Sequence, residues 1–99
     1  MFGLEEKEIA AINSVFAKYP NVEKVMLFGS RAKGTNQPFS DIDITMLGDK
    51  LTHSDLINIM SDLDDLFLPY EIDLSIFNKI NNEALKEHIL RMNVVFYSK

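Results

Sequence analysis

Three segments of the chain place apolar residues at helical spacing. They cover residues 5–19, 54–67 and 81–92, where apolar side chains recur every three or four positions. Thr52 or Ser54 is the candidate N-cap of the second segment. We therefore predict three helices. The inward-facing residues predicted for the second and third helices are Leu56, Ile59, Met60, Leu63 and Phe67, and Ala84, Leu85, Ile89 and Met92.

Four shorter segments have the pattern of β-strands. Residues 22–28 are apolar and rich in β-branched side chains, 41–47 and 70–77 alternate between polar and apolar, and 94–97 are suited to a short last strand. Helices and strands thus alternate along the chain. This order predicts an α/β (α+β) fold, in which helices pack mainly on one face of a small mixed β-sheet.

The composition is that of one compact globular domain spanning residues 1–99. Hydrophobic residues make up 46% and charged residues 25% of the chain. The lack of cysteine excludes disulfides, thiolate catalysis and cysteine zinc sites. No apolar run approaches the roughly 20 residues of a membrane span, and the N-terminus lacks the features of a signal peptide. A cytoplasmic location, without membrane contact, is the expectation.

The net charge of −5 argues against a general nucleic-acid-binding role. Affinity for DNA or RNA depends largely on basic side chains that contact phosphates, and the basic residues of this chain form no long stripe. Arg31 and Lys33 are the notable pair, and they lie beside a glycine-serine turn. That placement suits a nucleoside triphosphate better than a polymer.

Acidic residues occur at strand spacing in two of the predicted strands. Asp41 and Asp43 lie two positions apart, which puts both on one face of a strand, about 7 Å apart. Two neighbouring carboxylates repel each other unless a cation lies between them, and hard oxygen ligands favour Mg²⁺. Asp73 lies on the polar face of another alternating segment. If that strand lies beside the first, Asp73 completes a set of three carboxylates on the sheet face away from the helices.

The first predicted strand ends in a turn that suits a phosphate. Gly29 interrupts the strand and lets the backbone approach a ligand, while Ser30 adds a hydroxyl donor and is the candidate cap of a short helix. Arg31 and Lys33 are each predicted either to reach phosphate or to pair with surface acids. Ser40 is predicted either to hydrogen-bond near the metal or merely to begin the next strand. A phosphate-binding turn with three carboxylates predicts two-metal phosphoryl or nucleotidyl transfer.

Three short motifs follow one another along the chain. They are Gly29-Ser30-Arg31-Ala32-Lys33-Gly34, Ser40-Asp41-Ile42-Asp43 and Ile72-Asp73-Leu74. In this order and spacing they resemble the DNA polymerase β-like nucleotidyltransferase superfamily, whose motif is Gly-Ser, then Asp-x-Asp, then a third Asp on a later strand. The small size and the Arg-Ala-Lys-Gly sequence resemble the minimal nucleotidyltransferase (MNT) family in particular. The resemblance covers nearly the whole chain.

This resemblance implies the nucleotidyltransferase fold and a Mg²⁺-dependent enzyme. Such an enzyme moves a nucleoside monophosphate, here expected to be AMP from ATP, to an acceptor hydroxyl while pyrophosphate leaves. The catalytic and metal-binding residues that it implies are Asp41, Asp43 and Asp73, holding two Mg²⁺ ions. The nucleotide-binding residues proposed beside them are Gly29, Ser30, Arg31, Lys33 and Ser40.

The acceptor is expected to come from another chain. The predicted sheet and helices leave no residues for an acceptor-binding domain, so a homo-oligomer or a hetero-oligomer would complete the site. Resemblance to MNT proteins implies a helical HEPN partner, a ribonuclease toxin that its antitoxin modifies by adding AMP to a tyrosine. Two alternatives stay open: a transferase for a small molecule such as an aminoglycoside, and a non-catalytic nucleotide-binding module that neutralises its partner by docking.

Overall fold

The computed structural model describes residues 1–99, which form four helices and four strands. In chain order these are α1 (Glu6–Ala17), β1 (Lys24–Phe28), α2 (Ser30–Lys33), β2 (Ile42–Leu47), α3 (His53–Asp64), β3 (Ile72–Ile76), α4 (Glu83–Met92) and β4 (Val94–Ser98). One turn of 3₁₀ helix, Phe77–Lys79, joins β3 to α4. The predicted order of helices and strands is confirmed, with most ends a few residues shorter than predicted.

Local capping explains where the longer helices begin. Thr52 Oγ1 accepts a hydrogen bond from the Asp55 N–H, and the Asp55 carboxylate accepts one from the Thr52 N–H, both at 3.1 Å. This reciprocal capping box fixes the start of α3 and confirms Thr52 as its cap. Asn82 caps α4 through the Leu85 N–H. None of the helices is long and apolar enough to cross a membrane.

The four strands form one mixed sheet in the order β3-β2-β1-β4. β1 is antiparallel to both β2 and β4, whereas β2 and β3 are parallel. A parallel pair needs a long crossover, and α3 supplies it. The predicted small mixed sheet is therefore confirmed, and the two strands that carry the predicted acids are direct neighbours.

The two faces of the sheet are covered unequally. Alternate residues of β2 and β3 point at α1 and α3 and form the main core with them. The opposite face has a small cluster in which Met26 of β1 packs with Phe77 of the 3₁₀ turn and with Ile89 of α4. The prediction that helices pack mainly on one face is confirmed for the two longest helices, and α4 covers part of the other face.

The predicted inward stripes of α3 and α4 are wrong at several positions. Met60 lies within α3 but is 39% exposed. Phe67 is 88% exposed, because α3 ends at Asp64 and the chain then turns. In α4 only Ile89 is buried, whereas Ala84, Leu85 and Met92 are exposed. The cluster that α4 covers has only three buried residues, so it buries one position of the helix rather than a full stripe.

Candidate active site

Asp43 of β2 and Asp73 of β3 are paired directly across the parallel strands. Their Cα positions are register partners, between the Ile42–Ile72 and Ile44–Leu74 pairs. Because Ile42, Ile44 and Leu74 are buried against the helices, strand alternation puts both carboxylates on the other face. Asp43 is half-buried and Asp73 is exposed. The juxtaposition on which the three-carboxylate prediction depended is thus present in the fold.

Asp41 lies just outside the strand predicted to contain it. β2 begins at Ile42, so Asp41 is the last residue of the preceding loop and is exposed. Its carboxylate nevertheless acts on the carboxyl group of Asp43. The pKa of Asp43 is raised, first by burial, then by the carboxylate of Asp73, then by that of Asp41, while the guanidinium of Arg31 acts in the opposite direction. The three acids therefore share one electrostatic environment.

Gly29 lies directly against the Asp43 carboxylate. Its φ of +77° belongs to a region that L side chains rarely adopt, and a Cβ on this residue would collide with Asp43 Oδ2. The backbone conformation thus favours glycine at this position, and any side chain here would displace the Asp43 carboxylate. The close approach brings the turn that follows β1 into contact with the acids, as expected for a phosphate-binding turn.

Ser30 has a different position from the predicted one. Gly29 is the N-cap of α2, and Ser30 is the first residue of the helix, so the prediction of a serine cap is wrong. The half-buried Ser30 accepts backbone hydrogen bonds through its carbonyl, including one from the Thr35 N–H at 3.0 Å. Its hydroxyl makes no hydrogen bond within the chain, which leaves that group free for a ligand.

Arg31 is not placed as a nucleotide contact would require. It is only 2% exposed, and its guanidinium donates to the carbonyls of Ser40 and Phe2. The face of the Tyr70 ring lies 4.7 Å from the guanidinium carbon. The guanidinium hydrogen-bonds to main-chain carbonyls, whereas the sequence predicted either a phosphate contact or an ion pair with a surface acid. Lys33, two residues further along the chain, is exposed and forms no ion pair.

Ser40 is held within the loop that precedes the acids. Its Oγ accepts a hydrogen bond from the Gln37 N–H at 2.8 Å, and its own N–H donates to the Gln37 carbonyl at 3.1 Å. These bonds close the turn before Asp41. The geometry shows Ser40 as a residue that shapes the loop, one position from the first acid.

Two hydroxyl side chains next to the acids were given no functional role from the sequence, although Ser75 was placed on the same face as Asp73. Thr45 is fully buried two residues after Asp43, and Ser75 follows Asp73 at the same spacing. Ser75 Oγ donates to Thr45 Oγ1 at 2.9 Å. These two residues continue the polar face of β2 and β3 beyond the acids. The alternation that located the acids would also have located them.

The acids lie on an open surface rather than in a cavity. A cleft of about 300 Å³, lined by residues including Tyr70, Glu71 and Ile72, lies at the start of β3. A polar cleft of about 490 Å³, lined by Asn21, Asp49 and Lys50 among others, lies where β1 begins and β2 ends. Neither cleft contains Asp41, Asp43 or Asp73. Because Asp41 and Asp73 are exposed, the acids can be reached from the surface of the molecule.

The donor set of the acids fits a hard divalent cation. It consists of three carboxylates. Burial and then repulsion by Asp73 and Asp41 raise the pKa of Asp43, and a cation between the carboxylates would relieve that repulsion. The side chains of this structure do not converge into a group of three or more that would hold an ion. Closure of the three acids around a metal would require rotation of side chains, which the exposed positions of Asp41 and Asp73 permit.

Residues 10–99 match the family Polymerase beta, Nucleotidyltransferase. Because this match covers most of the chain, the chain belongs to that family. The superfamily predicted from the three motifs is confirmed, and with it the prediction that the protein is a nucleotidyltransferase.

Several known proteins are similar to this chain in sequence or in fold. A Methanocaldococcus jannaschii protein, named as a candidate protein adenylyltransferase, is 31% identical over 94% of this chain and 98% of its own. The fold matches a chain of a toxin–antitoxin complex with AMP-PNP, at a TM-score of 0.72 and 22% identity over 97% of this chain and 75% of that one. It also matches a chain of a tri-AMPylated Shewanella oneidensis HEPN toxin in complex with MNT antitoxin, at a TM-score of 0.70 and 16% identity over 97% and 74%.

Proposed function

We propose that this protein transfers AMP from ATP to a hydroxyl group of a helical HEPN protein and thereby acts as the antitoxin of a toxin–antitoxin pair. Family membership supports the transfer of a nucleotide. The 31% identical relative named as a candidate protein adenylyltransferase supports AMP as the group and a protein as the acceptor. The fold shared with a complex of an AMPylated HEPN toxin and its MNT antitoxin supports the partner.

One observation of this structure carries the proposal. Asp43 and Asp73 are direct register partners on an open sheet face, and the Gly29 turn lies in contact with Asp43. This places the glycine turn, which is followed directly by the free hydroxyl of Ser30, beside two paired carboxylates. A triphosphate bound at the turn would present its phosphates to the acids, while the open face leaves room for an acceptor hydroxyl of another chain.

The proposed reaction requires few groups of this chain. The Gly29 backbone and the Ser30 hydroxyl bind and orient the phosphates, and Lys33 offers an exposed positive charge nearby. Asp73 accepts the proton of the acceptor hydroxyl. The acceptor oxygen then forms a bond to the α phosphorus as the bond from that phosphorus to the bridging oxygen breaks, and pyrophosphate leaves. The protein contributes mostly positioning.

Asp41, Asp43 and Asp73 are the residues that would hold Mg²⁺, as two ions in the arrangement proposed from the sequence. When bound, Mg²⁺ would neutralise the triphosphate and stabilise charge on the attacking and leaving oxygens. Asp43 is the central ligand of this proposal, because it is the most buried of the three acids and lies between the glycine turn and Asp73.

The test uses ATP labelled at the α phosphate, incubated with Mg²⁺, this protein and a lysate of its source cells. We expect label on a protein band whose mass identifies the acceptor, and loss of that label with Asp41→Ala/Asp43→Ala. Asp64→Ala/Asp65→Ala, which removes the same charge from a pair of exposed acids, should retain it. Label on a small molecule would support the aminoglycoside-like alternative. Bound ATP without any transferred label would support the docking module and contradict the proposal.

A further inference from the structure

Arg31 is a buried charge without an acidic partner. It is 2% exposed and forms no ion pair with any carboxylate of the chain. A buried ionised group is costly unless its hydrogen-bonding capacity is satisfied. Here the partners are main-chain carbonyls, which accept from Nε, Nη1 and Nη2. The side chain is therefore used as a connector between segments of backbone.

The connection leads to the first acid of the candidate site. Two of the three hydrogen bonds, from Nε at 3.2 Å and Nη2 at 2.8 Å, end on the carbonyl of Ser40, the residue before Asp41. Ser40 is itself held by the paired hydrogen bonds with Gln37. Arg31 also follows Ser30 directly in α2. The Arg31 side chain thus connects two parts of the candidate site. One is the turn proposed to bind phosphate, and the other is the loop that precedes Asp41 and Asp43.

The other contacts of the guanidinium hold it in one orientation. Nη1 donates to the Phe2 carbonyl at 2.9 Å, and the Tyr70 ring covers the guanidinium at 4.7 Å. Gly3 has a φ of +73°, and a Cβ there would lie 2.9 Å from Nη1, so glycine lets the N-terminal turn approach this closely. The planar fork of arginine can serve these partners together, whereas the ammonium of lysine donates from one point.

We propose that Arg31 is a positioning residue, which fixes the Ser40–Asp41 loop against α2 so that Asp41 and Asp43 are held ready for a divalent cation and the nucleotide. This proposal deepens the function proposed above and rests on it for its catalytic consequence. Groups that orient metal ligands commonly change metal affinity or activity by about 10-fold to 100-fold when they are removed.

The test compares Arg31→Lys with two controls in the full chain. Arg91→Lys makes the same exchange at an exposed residue of α4, and Ile59→Val loosens the core at a residue of α3, outside the loop. Amide hydrogen exchange is followed at residues 37–43, and Mn²⁺ binding is measured by electron paramagnetic resonance. We expect Arg31→Lys to accelerate exchange in this loop and weaken Mn²⁺ binding about 10-fold. Neither control variant should both accelerate exchange in the loop and weaken Mn²⁺ binding.

Steady-state AMP transfer gives the catalytic readout. If wild-type protein is active, Arg31→Lys should lower kcat about 10-fold or more with a smaller change in KM for ATP. Unchanged loop exchange and unchanged Mn²⁺ binding in Arg31→Lys would overturn the positioning role. Wild-type protein that transfers no AMP, but whose loop exchange and Mn²⁺ binding still depend on Arg31, would contradict the proposed function and support the positioning role.

Discussion

The two faces of the sheet are built from the same strands but have opposite properties. In β2, Ile42, Ile44 and Met46 are fully buried under α1 and α3, while Asp43 between them points at the other face. β3 repeats this division with Leu74 buried and Asp73 exposed. Because successive residues of a strand alternate, a one-residue step separates the positions that hold the fold together from those proposed to carry chemistry.

This comparison predicts that substitutions can lower stability and activity independently of each other. A change on the helix-covered face should destabilise the protein in proportion to the buried volume that it removes. A change among the acids should abolish activity and leave the fold intact, since repulsion among the acids opposes folding rather than supporting it. The predictions below are ordered from the largest expected effect to the smallest.

The largest effect is expected for Asp73→Asn. This change removes the proposed proton acceptor and one metal ligand, so AMP transfer should fall by at least about 100-fold, while the fold and much of the nucleotide binding remain. Transfer is measured with α-labelled ATP and folding by circular dichroism. Glu71→Gln removes one charge two positions earlier on the same edge of the sheet and should keep transfer. Full activity of Asp73→Asn would reject the role of this acid.

On the covered face, Ile44→Ala should lower the free energy of unfolding by about 2–5 kcal/mol. Ile44 is fully buried between α1, α3 and the sheet, so the truncation leaves a cavity. Ile44→Val removes a single methylene and should cost about 0.5–1.5 kcal/mol. Urea unfolding measures both values. A loss below 0.5 kcal/mol for the alanine variant, on the order of a surface substitution, would contradict the assigned core.

Gly29→Ala should lower both stability and AMP transfer, because Gly29 is the residue at which the backbone of the turn contacts Asp43. The φ of +77° is strained for alanine, at about 1–3 kcal/mol, and the added Cβ displaces the Asp43 carboxylate. Gly34→Ala is the matched control: its φ is also +77°, but its Cβ would meet nothing within 4 Å. We expect both variants to be less stable, and only Gly29→Ala to lose transfer. Equal transfer in the two variants would contradict the contact with Asp43.

The smallest effect concerns a polar contact between Tyr19, in the turn after α1, and Asp62 of α3. The Tyr19 hydroxyl donates a hydrogen bond to the Asp62 carboxylate, which together with burial raises the pKa of Tyr19 to about 12. The contribution of this contact to stability should be complete below pH 10, the usual pKa of tyrosine, and disappear as pH rises towards 12. The urea midpoint of wild type minus that of Tyr19→Phe should therefore fall over this interval. A difference that stays constant with pH would contradict the raised pKa.

Strand alternation and capping could be predicted from sequence because both depend on near neighbours along the chain. The polar–apolar pattern around Asp43 and Asp73 placed both acids on one face, and their direct pairing followed once the strands proved adjacent. Thr52 was one of two candidate caps for α3, and the structure pairs it with Asp55, three residues away. Close sequence spacing thus sufficed for the acids and for the start of α3.

The environment of Arg31 could not be predicted in this way. Its partners come from Phe2, Ser40 and Tyr70, three separate segments that only the complete fold brings together. A basic residue beside a phosphate turn was therefore predicted to contact the nucleotide or surface acids. The exposure of Phe67 was also missed. The chain turns at this residue, whose φ is +53°, and the turn removes Phe67 from the helical pattern that predicted its burial.

The most direct test of the separation between the two faces is Asp43→Asn, examined for transfer and stability in the same preparation. Because the pKa of Asp43 is raised by burial and by the other acids, its charge disfavours the folded state at neutral pH. We predict that the variant loses transfer of labelled AMP while its urea midpoint is unchanged or higher. Retained transfer, or loss of transfer accompanied by a clear drop in the urea midpoint, would contradict this account.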